Sequence, residues 1–88
     1  NMYKILYSQQ SVKFIKKLDS KRQEKVKTRM EQVAKDPFSH DSNLNKIKEM
    51  THGYRLRIGD IRLVYEINST EKQIVVWKTD WRGSVYAN

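Results

Sequence analysis

The segment GYRLRIGDIRLVYEI, which begins at Gly53, constrains the fold more than any other part of the chain. Apolar and polar residues alternate on both sides of the pair Gly59-Asp60, as is typical of strands with one buried face. A two-residue Gly-Asp turn joins directly opposed strand positions and therefore fixes the register of a hairpin. In that register Arg57 lies across from Arg62.

The predicted register gives the hairpin two unlike faces, because side chains alternate along a strand. The apolar face, which we expect to pack against helices, carries Tyr54, Leu56, Ile58, Ile61, Leu63 and Tyr65. The opposite face carries Arg55, Arg57, Arg62, Val64 and Glu66.

The three arginines on one face break a local rule, since like charges directly opposite each other destabilise a sheet. Such violations are expected where function requires them. A cationic sheet face suits phosphate, because guanidinium groups bind it with two parallel hydrogen bonds. The alternative is a solvated face on which the arginines splay apart and Glu66 neutralises part of the charge.

Two helices and two further strands are predicted outside the hairpin. MYKILYS alternates like a short strand, and SQQSVKFIKKL has apolar residues at helical spacing. A second helix carries the apolar stripe Val26, Met30, Val33 and Ala34. Ser20 and Gln23 have the form of a capping box at its start, and Asp36-Pro37 should end it.

The order of these elements predicts the fold class. Residues 37–52 read as irregular, and strands are expected at 54–58, 61–67 and 73–79, with Trp77 in the core. The order β-α-α-β-β-β indicates an α+β domain, in which two helices pack on one face of a small, mostly antiparallel sheet. Residues 1–88 are expected to form a single domain, with Asn1 as a cloning remnant.

Charge and composition restrict the classes of function. The formal net charge is +8 and the pI is about 9.8, so the chain should be attracted to polyanions, or else simply has a lysine-rich surface. It has no cysteine, which fits a reducing, cytoplasmic setting. No apolar run is long enough to span a membrane, and the first residues do not resemble a secretory signal.

No metal or cofactor site is predicted. The candidate ligands His40, Asp41, Glu49 and His52 lack the spacing of a metal site, and no glycine-rich phosphate loop is present. His52 precedes the hairpin and is a minor candidate for acid–base work, although a loop histidine is more often merely solvated.

The hairpin and the end of the chain together carry a family resemblance. The hairpin phrase, the order of elements and a terminal R-x-x-x-Y that runs from Arg82 to Tyr86 resemble the RelE toxins of the RelE/ParE superfamily. The resemblance covers nearly the whole chain. It implies a type II toxin that enters the ribosomal A site and cleaves mRNA there, and that a cognate antitoxin, expected to be acidic, inhibits.

The resemblance also implies which residues act. Those carried over as catalytic are Arg55, Arg57, Arg62, Arg82 and Tyr86. Those expected to contact RNA are Lys21, Arg22, Lys25, Arg29, Lys78 and Trp81. Arginine stays protonated and suits transition-state stabilisation. Tyr86 is a candidate general base, a platform on which an RNA base stacks, or a residue that docks the tail, TDWRGSVYAN, onto the sheet.

Two departures from the family leave alternatives open. Asp80 lies where several relatives have a basic residue, so it either weakens the charge of the tail or orients Arg82. Some relatives continue into a helix after the tyrosine, whereas this chain has two more residues after Tyr86. The alternatives are a ParE-like inhibitor of DNA gyrase that acts by protein contact, and an inactive, basic RNA-binding relative.

Overall fold

A computed structural model of the chain describes residues 2–39 and 44–83. The described residues form five strands and two helices in the order β1 α1 α2 β2 β3 β4 β5. The strands are β1 (Lys4–Tyr7), β2 (Leu44–Ile47), β3 (Gly53–Ile58), β4 (Ile61–Asn68) and β5 (Gln73–Trp81). The helices are α1 (Gln9–Lys16) and α2 (Ser20–Lys35).

The strands form one sheet in the order β1-β5-β4-β3-β2. Every neighbouring pair is antiparallel except β1 and β5, which are parallel. The predicted α+β class with a mostly antiparallel sheet is therefore confirmed. The hairpin occupies the middle of the sheet, with β5 on one side and β2 on the other.

The register of the β3–β4 hairpin is the predicted one. Ile58 is opposite Ile61, and Arg57 is opposite Arg62. Gly59 has a φ of +58°, a left-handed conformation that glycine adopts without steric cost. The turn residues and the alternation therefore specify the same pairing.

The core lies between the two helices and one face of the sheet, which we call the inner face. The apolar stripe of α2 is buried against it, and Leu56, Leu63, Tyr65, Ile74 and Val76 are fully buried. The opposite side of the sheet, called the outer face, carries the alternating residues of β3 and β4 that begin with Arg55 and Arg62. The sheet thus separates the core from the arginines.

The start of α2 differs from the predicted capping box. Asp19 is the N-cap residue, and it makes no side-chain cap hydrogen bond. The side chain of Gln23 instead donates through Nε2 to the carbonyls of Ile15 (2.9 Å) and Lys16 (3.4 Å). The carbonyl of Ile15 also accepts from the backbone N–H of Leu18 (3.0 Å), so the amide of Gln23 is an additional donor that joins α2 to the end of α1.

The segment 37–52 is more regular than predicted, because it contains β2. Leu44 lies opposite Leu56 and packs, half-buried, against the core. The four-residue strand was missed because its residues, LNKI, show no clear alternation. Its pairing depends on β3, not on its own sequence.

Side chains at the start of α1, including its N-cap residue Ser8, complete the edge of β5 where β1 ends. The amide of Gln10 donates to the carbonyl of Thr79 (2.6 Å) and accepts from the N–H of the same residue (2.9 Å). The hydroxyl of Ser8 donates to the carbonyl of Trp77 (2.8 Å). Backbone groups that would otherwise be unpaired at a sheet edge are thereby satisfied.

Gly53 is required for packing on the outer face. A Cβ atom at this position would lie 2.6 Å from both Cβ and Sδ of Met50. We expect Gly53→Ala to lower the free energy of unfolding by about 1–3 kcal/mol, because a well-packed site must shift to accept a methyl group. Chemical denaturation of the variant measures this change.

The matched test uses the same substitution in a Met50→Ala background. Removing the Met50 side chain beyond Cβ relieves part of the clash, so Gly53→Ala should cost less there. An equal cost in both backgrounds would contradict the steric explanation.

Candidate functional site

The three hairpin arginines lie on the outer face, as the register predicts. Arg57 is exposed and Arg55 is half-buried. Arg62 is buried, with 6% of its surface exposed. Charged side chains are almost never buried without partners, so the solvated, splayed arrangement does not describe Arg62.

The Arg62 guanidinium is held by the turn of its own hairpin. Its Nη1 donates to the carbonyls of Gly59 (2.8 Å) and Ile61 (3.0 Å). Nη1 carries two of the five guanidinium N–H donors. The Nε and Nη2 donors make no hydrogen bond to the described residues, and a bound anion could use them.

Strand β5 places groups of both signs beside Arg62. Asp80 is opposite Arg62, and Lys78 is opposite Val64. The carboxylate of Asp80 accepts from the backbone N–H of Trp81 (2.8 Å). A negative charge therefore lies next to the most buried arginine and reduces the positive potential of the face.

On the opposite side of the turn, Arg22 of α2 binds Asp60. Nε and Nη2 of Arg22 donate to the two carboxylate oxygens of Asp60 (3.4 and 3.0 Å), and Nη1 donates to Asp19 (3.2 Å). The Arg22 guanidinium also lies 5.5 Å from the ring centroid of Trp81. The hydrogen bond from Arg22 is the main reason that the pKa of Asp60 is below its ordinary value.

The backbone carbonyls of the same turn accept hydrogen bonds from two residues predicted to be catalytic. The Gly59 carbonyl accepts from Arg62, and the Asp60 carbonyl accepts from the backbone N–H of Arg82 (2.8 Å). Arg82 itself is exposed and directly follows β5. The turn therefore connects α2, Arg62 and the start of the tail.

The residues predicted to contact RNA are divided between two sides of the molecule. Lys21, Lys25 and Arg29 follow one line of α2 and border an open groove of about 520 Å³ beside Ile58. That groove belongs to the helix side, whereas Lys78 belongs to the outer face. Their contact with RNA stays a prediction.

Trp81 and Arg22, also predicted to contact RNA, have partners within the chain. Trp81 makes an edge-to-face contact with Phe14, with ring centroids 5.2 Å apart, and remains 42% exposed. Any base that stacks on Trp81 would have to share the ring with Arg22.

Trp77 corrects the expectation that it lies in the core. It is 53% exposed, and its Nε1 donates to Oε1 of Glu66 (3.2 Å). The pairing of β4 with β5 shifts register between Val64 and Tyr65, so β5 has one extra residue at this point. A bulge of this kind redirects a side chain, and alternation alone could not reveal it.

Several candidates lie at or beyond the limits of the described structure. Tyr86, His40 and Asp41 are outside the described residues. His52 is exposed, and its ring contacts the edge of Phe38, with centroids 5.9 Å apart.

Within residues 2–39 and 44–83, no group of three or more His, Asp or Glu residues could hold a metal ion. Neither α1 nor α2 is long and apolar enough to cross a bilayer.

The Arg22–Asp60 ion pair predicts a pH-dependent contribution to stability. Because the pKa of Asp60 is lowered in the folded state, the pair stabilises the fold above about pH 3.9, the ordinary aspartate pKa. This stabilisation is lost as the pH falls through the lowered folded-state pKa. Asp60→Asn should lower the Tm at pH 7 by at most a few degrees, since exposed pairs contribute little.

Thermal melts of both proteins between pH 7 and pH 2 check this expectation. The difference in Tm should shrink toward zero at the acid end. Glu71→Gln, at an exposed carboxylate in the turn after β4, is the matched control and should leave the Tm at pH 7 nearly unchanged. A wild-type advantage that persists at pH 2 would contradict the ion-pair explanation.

Comparisons with known proteins agree with this architecture. Residues 5–84 match the family model described as "ParE toxin of type II toxin-antitoxin system, parDE". No curated protein sequence matches the chain significantly.

Three similar solved structures illustrate the fold. The archaeal RelE–RelB complex from Pyrococcus horikoshii has a TM-score of 0.83 at 23% identity, covering 96% of this chain and 99% of that one. The isolated E. coli RelE toxin has a TM-score of 0.78 at 24% identity, covering 96% and 90%. The intact E. coli RelBE toxin–antitoxin complex has a TM-score of 0.75 at 24% identity, covering 93% and 98%.

Proposed function

The chain belongs to the ParE toxin family of type II toxin–antitoxin systems, and we propose that this toxin is a ribosome-dependent mRNA interferase. In this proposal it is an endoribonuclease that cleaves mRNA in the ribosomal A site and so inhibits translation. The observation that carries the proposal is the outer face of the hairpin. There Arg57 lies opposite Arg62, Arg55 is on the same face, and Arg62 is buried and held by two carbonyls.

The proposed chemistry uses the nucleophile that RNA itself contains. The 2′ oxygen attacks the adjacent phosphorus, and the bond from phosphorus to the 5′ oxygen breaks, leaving a 2′,3′-cyclic phosphate and a 5′-hydroxyl. The proton of the 2′-OH passes to a base, and the leaving 5′ oxygen takes a proton from an acid. The negative charge that develops on the phosphate oxygens must be stabilised, and no metal is needed if cationic side chains do this.

Arg62 is the best-placed residue for that stabilisation. Its Nη1 is fixed by Gly59 and Ile61, so its remaining donors are held in place before substrate arrives. Preorganised donors of this kind are effective because they need no reorganisation during the reaction. Arg55 and Arg57 add positive charge on the same face, and Arg82 is proposed to bind a neighbouring phosphate.

Tyr86 is the proposed base, or a platform on which an unstacked base is held. Neighbouring positive charge favours the phenolate form of a tyrosine, and aromatic side chains stack on the bases of single-stranded RNA.

The proposed partners are the ribosome, mRNA and a cognate, acidic antitoxin in the cytoplasm. A net charge of +8 favours association with RNA through salt-sensitive phosphate contacts. Lys21, Lys25 and Arg29 form a basic line along α2 that could meet ribosomal RNA or an acidic antitoxin. Two of the similar structures are complexes of RelE with RelB, which supports an antitoxin partner here.

A second candidate function is inhibition of DNA gyrase by protein contact, without nuclease activity. The family model that matches is that of the ParE toxin. In addition, Asp80 lies opposite Arg62 and lowers the positive potential where the first proposal needs it. These two observations make the candidate worth a direct test.

Mapping of mRNA 5′ ends in translating extracts tests the leading proposal. Wild-type protein should produce cuts within codons only when ribosomes are present. Arg62→Ala should reduce the cleavage rate about 10²–10³-fold, because it removes a preorganised donor set, and combination with Tyr86→Phe should reduce it further. Lys35→Ala, on the helix side and outside the proposed site, is the matched control and should cleave like wild type.

The same extracts, supplemented with gyrase and supercoiled DNA, separate the two candidates. Intact mRNA together with trapped, cleaved DNA would contradict the interferase proposal and support gyrase inhibition. Cleavage of naked mRNA at an undiminished rate would contradict the requirement for ribosomes.

A further inference from the structure

We propose that Trp77, Glu66 and the cleft beside them form a subsite for one unstacked nucleobase, with a preference for guanine. The subsite lies on the outer face, farther along β4 from Arg62. This proposal rests on the proposed function, because it takes single-stranded RNA as the ligand. Binding can nevertheless be measured without cleavage, so the two proposals can fail separately.

The bulge in β5 puts an aromatic ring and a cation side by side. Val76 and Thr79 are both fully buried on the inner face, and the two residues between them, Trp77 and Lys78, are not buried. Regular alternation would send only one of these two side chains outward. Single-stranded nucleic acid is bound by this combination of stacking aromatics and basic groups that follow the backbone.

The Trp77 ring is held in place without being covered. Its Nε1 donates to Oε1 of Glu66 across the β4–β5 pair (3.2 Å), while more than half of the residue is exposed. A ring fixed in this way loses little freedom when a base stacks on it. Trp77 is the most exposed aromatic residue in the described part of the chain.

The adjoining cleft has a size and chemistry that suit a base. It has a volume of about 430 Å³, and its lining includes His52, Glu66, Asn68, Thr70, Val75 and Trp77. The Glu66 carboxylate has acceptor capacity beyond its bond to Trp77. On one edge, guanine has two adjacent hydrogen-bond donors, N1–H and the 2-amino group. The N–H donor of uracil, in contrast, lies between two carbonyls that a carboxylate would repel. A guanine stacked on Trp77 is therefore the best match.

The lining favours a base over a protein side chain as the occupant. Most of the cleft residues are polar, whereas the centre of a protein interface is usually apolar and depleted in charge. Lys78 lies next to Trp77, and Arg62 is on the same face, so a strand bound there would keep phosphates near cations. The occupant that satisfies both the ring and the charges is a nucleotide.

Anisotropy measurements with short 2′-O-methyl RNA oligomers test the subsite, because this modification blocks the 2′ oxygen and prevents cleavage. The oligomers are uridine hexamers that carry guanine, adenine or cytosine at one position, together with the all-uridine hexamer. Wild-type protein should bind the guanine oligomer most tightly. Trp77→Ala should weaken that binding about 10- to 100-fold, and Trp77→Phe, which keeps an aromatic ring, should weaken it less.

Two further variants make the result specific. Glu66→Gln should reduce the preference for guanine over uridine, because the neutral amide accepts less strongly from the guanine donors and no longer repels the carbonyls of uracil. Val12→Ala, which changes an exposed apolar residue on α1 at the helix side, should bind like wild type. Circular dichroism confirms that each variant is folded.

The outcomes separate this proposal from the proposed function. Equal binding of all hexamers by wild type and Trp77→Ala would overturn the subsite, even if ribosome-dependent cleavage occurs. Guanine-selective binding that depends on Trp77 would support the subsite, even if no cleavage is found. If Trp77→Ala releases a co-purifying antitoxin but binds the hexamers normally, the surface is a protein interface and the proposal is wrong.

Discussion

The ion pair between Arg22 and Asp60 holds together parts of the fold that are distant in the chain. It joins the first turn of α2 to the hairpin turn, whose two carbonyls in turn hold Arg62 and the backbone of Arg82. The pair is exposed and contributes little free energy by itself. Its importance is geometric, because the turn can hold both arginines in place only if the turn itself is fixed.

The outer face shows how a small sheet can accommodate repulsive charges. Arg62 lies on the central strand, where burial without partners would be costly, and carbonyl oxygens of its own hairpin accept its Nη1 protons. Asp80 on the neighbouring strand supplies a negative charge. The resulting face is cationic but partly compensated, and this compensation is the physical reason to weigh gyrase inhibition beside RNA cleavage.

The features that were predicted correctly from the sequence depend on local rules. The Gly-Asp turn fixes the Arg57–Arg62 pairing, and the stripe that begins at Val26 marks the buried side of α2. The features that were missed depend on contacts between distant segments. The bulge at Trp77 depends on how β5 pairs with β4, and the contact of Gln23 depends on how α2 lies beside the end of α1, whose carbonyls accept from its amide. The catalytic and RNA-contacting roles stay predictions, and Tyr86 lies outside the described residues.

The contacts of Gln10 with Thr79 determine when, during synthesis, the outer face of the sheet can form. These two residues are 69 positions apart, and β1 pairs with β5 across the same separation. Contacts this distant in sequence form late and slowly compared with local ones. During synthesis from the N-terminus, β5 can take its place only after residues 73–81 have left the ribosome. A nascent chain that does not yet contain β5 therefore lacks the strand that borders Arg62, and its outer face is incomplete.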